Sequence, residues 1–513
     1  MNKRVFFKNT AIMTVTSLLL RLFGILFRVF ISNQVGAEGM GLYQLVFSVY
    51  VLGATFANSG IITAVTRLAA ERLTVKDLDG VRRLMRISSL LCLTVGGISA
   101  LVLYGAAPYI GALLRDTRAV ASVSVSGIAL PFIGVSGCIK GYFMARRRAA
   151  PPCYSQLLEQ TVRIGGILWA LTYLWDGSTE QACVIIILGD ALSETVACVY
   201  LLGAYRKDTR HWKKSTITAS KKLLHPLLHI SLPLTAGRYL STALRTVESF
   251  LVPARLTMFT HSESLSLAQF GAVKGMALPL IFFPSALLMT LSGLLIPELS
   301  DAYALHQQRQ VARLVERTLR ITLLGSILVG GLFTLLGKQL GEWLYHDSLV
   351  GLLLQILGPL TPIMYLDSMV AGMLKGLGQQ VHALWFGVAD SLTRILLIWF
   401  LLPRYGLAGF MFVMIISNLL TASLNTQRLL TVSHASLRWL SWILCPLLSA
   451  VISGWICGFI PNSNTILHGA VVGSGFTVIY CICLFCMRCV TKNDVIEWFG
   501  RHTKKADKKT ATV

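Results

Sequence analysis

Long apolar runs separated by short polar segments recur along almost the whole sequence. A transmembrane helix needs about 20 mostly apolar residues. Fourteen such runs lie near residues 10–33, 41–66, 87–108, 119–144, 153–175, 181–204, 226–254, 265–298, 318–337, 349–372, 378–402, 405–427, 439–460 and 465–487. The eighth run is long enough to contain a kink at Pro279 or Pro284. The pattern predicts an all-α polytopic membrane protein with about 14 transmembrane helices.

The composition excludes an ordinary soluble protein. Of 513 residues, 54% are hydrophobic and 13% are charged, against about 25% charged residues in soluble domains. A net charge of +23 would indicate nucleic-acid binding in a soluble chain, but basic cytoplasmic loops explain it in a membrane protein, so we expect no nucleic-acid partner. Cys483, Cys486 and Cys489 form a C-x-x-C-x-x-C pattern inside an apolar run without polar neighbours. We expect no metal and no cofactor.

The distribution of basic residues predicts the orientation in the membrane. With the N-terminus inside, the inside segments carry 33 lysine and arginine residues and the outside segments carry 5. Basic residues favour cytoplasmic loops, and this bias is difficult to produce with a missed or additional helix. We therefore predict a multi-pass protein of the cell (cytoplasmic) membrane with both termini in the cytoplasm.

Two halves of the chain share a pattern of residues. At a constant offset of 231, Pro131, Gly141, Glu159 and Arg163 recur as Pro362, Gly372, Asp390 and Arg394. Arg21 and Arg28 are seven residues apart, as are Arg238 and Arg245. Six helices per half keep both copies in one orientation, which predicts a parallel repeat with the substrate path between two six-helix lobes. The predicted domains are an N-lobe (1–222), a C-lobe (223–432), two further helices (433–490) and a basic cytoplasmic tail (491–513).

Several charges fall inside predicted transmembrane helices. The candidate substrate-binding residues are Arg21, Arg28, Arg238, Arg245, Glu248 and Lys274. An arginine at bilayer depth costs at least about 2.5–3.5 kcal/mol. Since a single nearby acid cannot neutralise five basic groups, we expect a hydrated cationic cavity that binds an anionic head group, and the planar fork of arginine suits phosphate. In the alternative interpretation, each arginine pairs with an acid on another helix, such as Asp190, Glu194 or Asp367.

Other intramembrane acids have different predicted roles. Glu159 and Arg163 lie one helical turn apart, as do Asp390 and Arg394, and each of these i,i+4 pairs is predicted to be structural. Asp190 and Glu194 share one face of the sixth helix. They are candidates for cation or proton coupling, or they act as counter-ions for the arginines.

Motifs of enzymes are absent from the sequence. It contains no G-x-x-x-x-G-K-[ST], H-E-x-x-H or G-x-S-x-G pattern. No predicted loop is long enough for a soluble catalytic domain. We predict that the protein is not an enzyme.

Three segments resemble the stage V sporulation protein B branch of the polysaccharide-exporter superfamily: LLLRLFGILFRVFISNQVGAEGMGLYQLVFSVY, ESFLVPARL and GMALPLIFFPSALLMTLSGLLIPELSDAY. The superfamily includes lipid II flippases and multidrug and toxin extruders. The resemblance implies two six-helix lobes, two added C-terminal helices and export of undecaprenyl-linked precursors by alternating access. Arg21, Gly24 and Arg28 resemble the first-helix motif of lipid II flippases, and Lys274 stands in place of their eighth-helix arginine.

The predicted function is that of a flippase for an undecaprenyl-pyrophosphate-linked saccharide, with the peptidoglycan precursor first, in cell-wall or spore-cortex synthesis. The alternatives are export of another lipid-linked polysaccharide unit and a multidrug or cation antiporter. An antiporter for cationic drugs should have an acidic cavity, which the surplus of basic residues disfavours. The expected partners are the lipid-linked glycan and the lipid bilayer, and cell-wall synthesis enzymes are candidate partners.

Overall fold

The computed structural model describes residues 3–58, 60–114, 116–212, 224–460, 465–487 and 489–490. The predicted basic tail at 491–513 lies outside the described residues. Within those ranges every regular element is a helix, which confirms the all-α fold class.

The helices follow the apolar runs of the sequence. In the first half they are α1 (Lys3–Asn58), α2 (Ile61–Thr74), α3 (Leu78–Leu114), α4 (Ala119–Ser126), α5 (Leu130–Ala145), α6 (Ala150–Tyr173), α7 (Thr179–Thr209) and α8 (Leu224–Thr260). The others are α9 (Glu263–Gly271), α10 (Leu278–Phe282), α11 (Ser285–Ala304), α12 (Gln308–Tyr345), α13 (Ser348–Leu357), α14 (Thr361–Gly376), α15 (Gln380–Ser433), α16 (Cys445–Cys457) and α17 (Ile466–Cys486).

Local sequence explains several helix boundaries. Ser178, Ser262 and Asp347 cap α7, α9 and α13, because each side chain accepts a hydrogen bond from a backbone N–H in the first turn. The eighth run is interrupted at one of the two prolines, Pro284. A π-helical segment, Ala272–Ala277, precedes Pro279, and the helix is interrupted before α11 at Pro284.

Ten helical segments of the described chain are long and apolar enough to cross a membrane, by length and composition. Two of these segments contain a non-helical glycine, Gly36 inside α1 and Gly406 inside α15. Both glycines have positive φ angles, which a residue with a Cβ rarely adopts. Gly36 lies between the first two predicted spans, and Gly406 lies at the start of the twelfth. The protein is a multi-pass membrane protein, while the number of fourteen helices stays a prediction.

The sequence repeat is visible in the helix boundaries. Helix α5 begins at Leu130 and ends at Ala145, and α14 begins and ends 231 positions later. Each of the two helices follows a 3₁₀ turn, Gly127–Ala129 and Gly358–Leu360, which obey the same offset. The repeat predicted from single residues is therefore confirmed in the secondary structure of these segments.

Contacts divide the chain into two compact units. The first unit runs to Phe283 and adds Leu384–Ser417, and its core includes the buried Tyr142 and Phe143. The second unit comprises Pro284–Ala383 and the chain from Asn418 onward. There α16 and α17 pack on α12, and Tyr480 donates a hydrogen bond to the carbonyl of Leu324. The division into an N-lobe and a C-lobe of the repeat stays a prediction.

Candidate functional site

A cavity of about 440 Å³ opens in the first unit between α1 and the segment from the π-helical turn to the end of α10. It is lined by Arg21, Gly24, Ile25, Arg28, Lys274, Leu278, Pro279, Phe282 and Phe283. Three cations and no carboxylate belong to this lining, and the remaining residues are apolar. The cavity therefore combines a positive charge with a hydrophobic wall.

The local structure explains why these cations meet. Arg21 and Arg28 are seven residues apart on α1, so two helical turns place them on the same face as Gly24. Lys274 lies in the π-helical turn Ala272–Ala277. A π-helical turn inserts one extra residue per turn, and such turns often occur at functional sites.

The arginines of the cavity make no direct ion pair in the described chain. No carboxylate of the described residues lies within 4 Å of Arg21 or Arg28, and the Asp190 carboxylate is paired with Arg163 instead. Asp190 makes no direct ion pair with a first-helix arginine, but it lies within electrostatic reach of Arg28, so the alternative interpretation stays a prediction. Two guanidinium groups that face a cavity without a direct ion pair favour an anionic ligand.

The structure places the seventh-helix arginines differently. Arg238 and Arg245 lie on α8 with exposed side chains and do not line the cavity. Neither has a carboxylate within 4 Å among the residues that the structure describes. Their predicted part in substrate binding stays a prediction.

Glu248 is the centre of a buried ion network in the first unit. Its side chain is 3% exposed, and its Oε1 atom lies 2.9 Å from the Nζ atom of Lys274. Arg394 approaches the same oxygen at 3.4 Å. Arg394 also pairs with Asp390 at 3.3 Å, and Ser417 bridges these two side chains. Two acids and two bases therefore balance within this network.

A second buried network surrounds Arg163. Its guanidinium contacts Glu159 at 2.9 Å on α6 and Asp190 at 2.7 Å on α7. Lys140 on α5 lies 3.9 Å from Glu159. Glu194 has no basic group within 4 Å in the described chain, although it lies within electrostatic reach of two acids, Glu159 and Asp190, and of two bases, Lys140 and Arg163. This network holds three acids and two bases.

Sequence reasoning found both i,i+4 pairs, and the structure contains both. It missed that each arginine also contacts an acid on another helix, Asp190 for Arg163 and Glu248 for Arg394. It also missed Lys140 and Ser417 as members of these networks. The signal for Lys140 was present, because an isolated lysine within an apolar run needs a partner in the membrane.

Comparisons with known proteins agree with this architecture. The profile of the polysaccharide biosynthesis protein family matches residues 6–302. Stage V sporulation protein B of Bacillus subtilis (strain 168) is 24% identical over 515 residues, which cover 96% of this chain and 98% of that protein. Lipid II flippase MurJ of the same strain is 24% identical over 166 residues, which cover 31% of this chain and 30% of that protein.

Solved structures share the fold. The lipid II flippase MurJ in an inward closed conformation matches with a TM-score of 0.71 and 13% identity, covering 92% of this chain and 98% of that chain. An inward-facing multidrug resistance transporter of the MATE family in the MOP superfamily matches with a TM-score of 0.61 and 15% identity, covering 83% and 100%. The helical transporter fold and the profile that spans more than half of the sequence lead to one conclusion: the chain belongs to the polysaccharide biosynthesis protein family.

Proposed function

We propose that the protein is a flippase that moves an undecaprenyl-pyrophosphate-linked saccharide across the cytoplasmic membrane by alternating access. The observation that carries the proposal is the cavity in which Arg21, Arg28 and Lys274 meet against an apolar wall. An anionic head group and an apolar lipid tail together match these two kinds of lining. Its relatives include a protein named lipid II flippase, which moves a lipid of this chemistry according to its name.

The chemistry of the cations suits a pyrophosphate group. Arginine presents a planar fork of N–H donors that binds two phosphate oxygens at once, and lysine adds a compact charge. Charge-assisted hydrogen bonds of this kind contribute about 1.5–3 kcal/mol each. We propose that Arg238 and Arg245 contact the head group at a later stage of transport, when the cavity has changed its shape.

The first cargo that we propose is the peptidoglycan precursor, for cell-wall or spore-cortex synthesis. Another lipid-linked polysaccharide unit has the same pyrophosphate and would use the same cations. A drug antiporter is less well supported, because three positive charges in the cavity repel a cationic drug. Cell-wall synthesis enzymes would then be partners that supply or consume the cargo.

Asp190 and Glu194 are proposed to couple transport to an ion. The network around Arg163 has one more acid than bases, and Glu194 is the acid with no basic group within 4 Å in the described part of the chain. A surplus carboxylate in this setting can be neutralised by a proton or a small cation. Replacing Glu194 with Gln should remove any dependence of transport on a proton or sodium gradient, while transport without a gradient continues.

The decisive experiment is translocation of lipid II by the purified protein in proteoliposomes. Wild-type protein should move lipid II faster than empty liposomes, and the Arg21→Ala variant should not. A second cargo with the same undecaprenyl pyrophosphate and a different saccharide measures specificity for the sugar. Transport of neither cargo would overturn the proposed function.

A further inference from the structure

We propose that Glu248 is a positioning residue that competes with the phosphate of the cargo for Lys274, and thereby limits how tightly the head group is held. The inference rests on the proposed function, since it requires an anionic head group in the cavity. Glu248 itself does not line the cavity and acts through Lys274.

Lys274 belongs to the cavity and to the buried network at once. It lines the cavity with Arg21 and Arg28, yet its Nζ atom lies 2.9 Å from the Glu248 carboxylate. Its side chain is 26% exposed, whereas that of Glu248 is 3% exposed. Of the three cations in the cavity, Lys274 is the one with a carboxylate within 4 Å in the described chain, so its charge is partly used before a ligand arrives.

Exchange between two anions suits a lysine on this segment. The ammonium group is a compact charge with three rotatable donors on a flexible stem, so it can turn from one acceptor to another. The π-helical turn that carries Lys274 departs from regular α-helical hydrogen bonding. The side chain can therefore exchange one anionic partner for another by rotating about its own bonds.

Glu248 can release Lys274 because it has a second partner. Arg394 approaches the same carboxylate at 3.4 Å and is itself held by Asp390 and Ser417. Removing the sole partner of a buried charge is strongly unfavourable, but here a guanidinium stays beside the carboxylate. The phosphate can therefore draw Lys274 away without leaving an isolated buried charge.

The consequence is that the cavity binds the head group less tightly than it would with all three cations available. While Lys274 is paired, the cavity offers two guanidinium groups that make no direct ion pair in the described chain, and its third cation must be taken from Glu248. When the head group leaves, Glu248 recaptures the ammonium group. A transporter must release its cargo, so an internal competitor favours turnover at the expense of tight binding.

The test compares Glu248→Gln with wild type, using undecaprenyl pyrophosphate in nanodiscs as the binding probe. Gln keeps the shape of the side chain but not its charge, so Lys274 becomes fully available to the phosphate. The affinity for the probe should then increase about tenfold, which corresponds to the free energy of one charge-assisted hydrogen bond. If release limits turnover, lipid II translocation in proteoliposomes should slow about tenfold as well. An unchanged or weaker affinity in Glu248→Gln would overturn the inference.

Glu159→Gln is the matched control. It also removes a partly buried carboxylate that contacts an arginine and a lysine, but that lysine, Lys140, does not line the cavity. Its affinity for the probe should stay within about twofold of wild type. If both variants bound the probe equally more tightly than wild type, the removal of any nearby negative charge would explain the effect, and the inference would be overturned.

A double-mutant cycle separates positioning from a long-range charge effect. In a Lys274→Met background, adding Glu248→Gln should change the affinity by less than about twofold, because the lysine through which Glu248 acts is gone.

If Glu248→Gln fails to fold, Glu248→Asp shortens the side chain, keeps the charge, and should tighten binding about threefold. Failure of wild-type protein to bind the probe would remove the proposed function together with the inference, whereas wild-type binding without the Glu248 effect would remove the inference alone.

Discussion

The Nε atom of Arg163 on α6 lies 2.7 Å from the Oδ1 atom of Asp190 on α7, so this ion pair joins two helices. Arg163 also contacts Glu159 within its own helix at 2.9 Å. The side chain of Arg163 is 25% exposed, that of Glu159 is 15% exposed and that of Asp190 is 8% exposed. Arg163 is therefore the main positive charge that stabilises several acids inside the membrane.

Replacing Arg163 with Ala should strongly destabilise the protein. The change leaves Glu159, Asp190 and Glu194 with Lys140, which is 3.9 Å from the nearest of them. Removing one partner of a buried ion pair costs about 3–5 kcal/mol. We expect a large decrease in the melting temperature of the purified protein in detergent and in the amount that reaches the membrane.

Arg67→Ala is the control for this prediction. Arg67 pairs with Glu71 at 3.0 Å with the same i,i+4 spacing, but the side chains are 67% and 56% exposed. Exposed pairs of this kind contribute about 0.3–0.5 kcal/mol. Adding Asp190→Asn to Arg163→Ala should recover part of the melting temperature, because one of the stranded carboxylates is then neutral. Equal melting temperatures for the two single variants would contradict the central role of Arg163.

Exchanging Asp390 and Arg394 for each other should reduce the protein level about as much as Asp390→Ala does. An isolated i,i+4 pair would survive the exchange, but Arg394 also lies 3.4 Å from Glu248. The exchange would place a carboxylate beside that buried acid, and like charges at this distance repel. Immunoblots of isolated membranes measure the level, and a normal level of the exchanged variant would indicate that Glu248 makes no contribution here.

The sequence predicted the helical elements and the ion pairs within one helix, but not the contacts between helices. Hydropathy predicted the all-helical membrane fold, because a transmembrane helix is a property of one segment about 20 residues long. Spacing along one helix predicted Asp390 with Arg394 for the same reason. Contacts between helices, such as Lys274 with Glu248, depend on how each helix is rotated about its axis relative to its neighbour. The spacing of charged residues within one helix does not determine which residue of the neighbouring helix they contact.

A close contact between α1 and α9 should not tolerate a larger side chain. A methyl group at Gly271 would lie 2.0 Å from the carbonyl oxygen of Ala37 and 2.5 Å from the backbone nitrogen of Gly41. Backbone atoms cannot move aside as a flexible side chain can, and overpacking of this kind costs about 1–3 kcal/mol. Gly271→Ala should lower the melting temperature by several degrees and reduce transport.

The control for Gly271 is another helical glycine with open space around it. No atom of the described chain lies within 4 Å of a methyl group placed at Gly97, apart from its own helix backbone and its chain neighbours. Ala has the higher helix propensity, by about 0.8–1.0 kcal/mol. Gly97→Ala should therefore keep or slightly raise the melting temperature. If the two variants have the same melting temperature, α1 and α9 are not in close contact in the membrane.

The proposed orientation can be tested with single cysteines. Ser178 and His306 are exposed residues between helices, and the predicted topology puts Ser178 outside the cell and His306 in the cytoplasm. In a variant without the native cysteines, Ser178→Cys should react with a membrane-impermeant maleimide on intact cells. His306→Cys should react after the cells are opened. The opposite pattern would reverse the proposed orientation of the whole chain.

The last prediction concerns Arg21 and Arg28, because they line the cavity and make no direct ion pair in the described chain. If they bind pyrophosphate, Arg21→Ala and Arg28→Ala should each abolish transport while the protein still folds. Losing one charge-assisted hydrogen bond of about 1.5–3 kcal/mol should weaken head-group binding about ten- to a hundredfold.

Substitution of either arginine by lysine tests the geometry of binding. Lysine keeps the charge but lacks the planar fork, so transport should recover only in part. Arg83→Ala, which removes an exposed arginine outside the cavity, controls for the loss of positive charge and should transport normally. A structural role predicts a different outcome, because removing the arginine would then lower the melting temperature together with transport. Full transport by well-folded Arg21→Ala and Arg28→Ala would show that the cavity does not hold the head group.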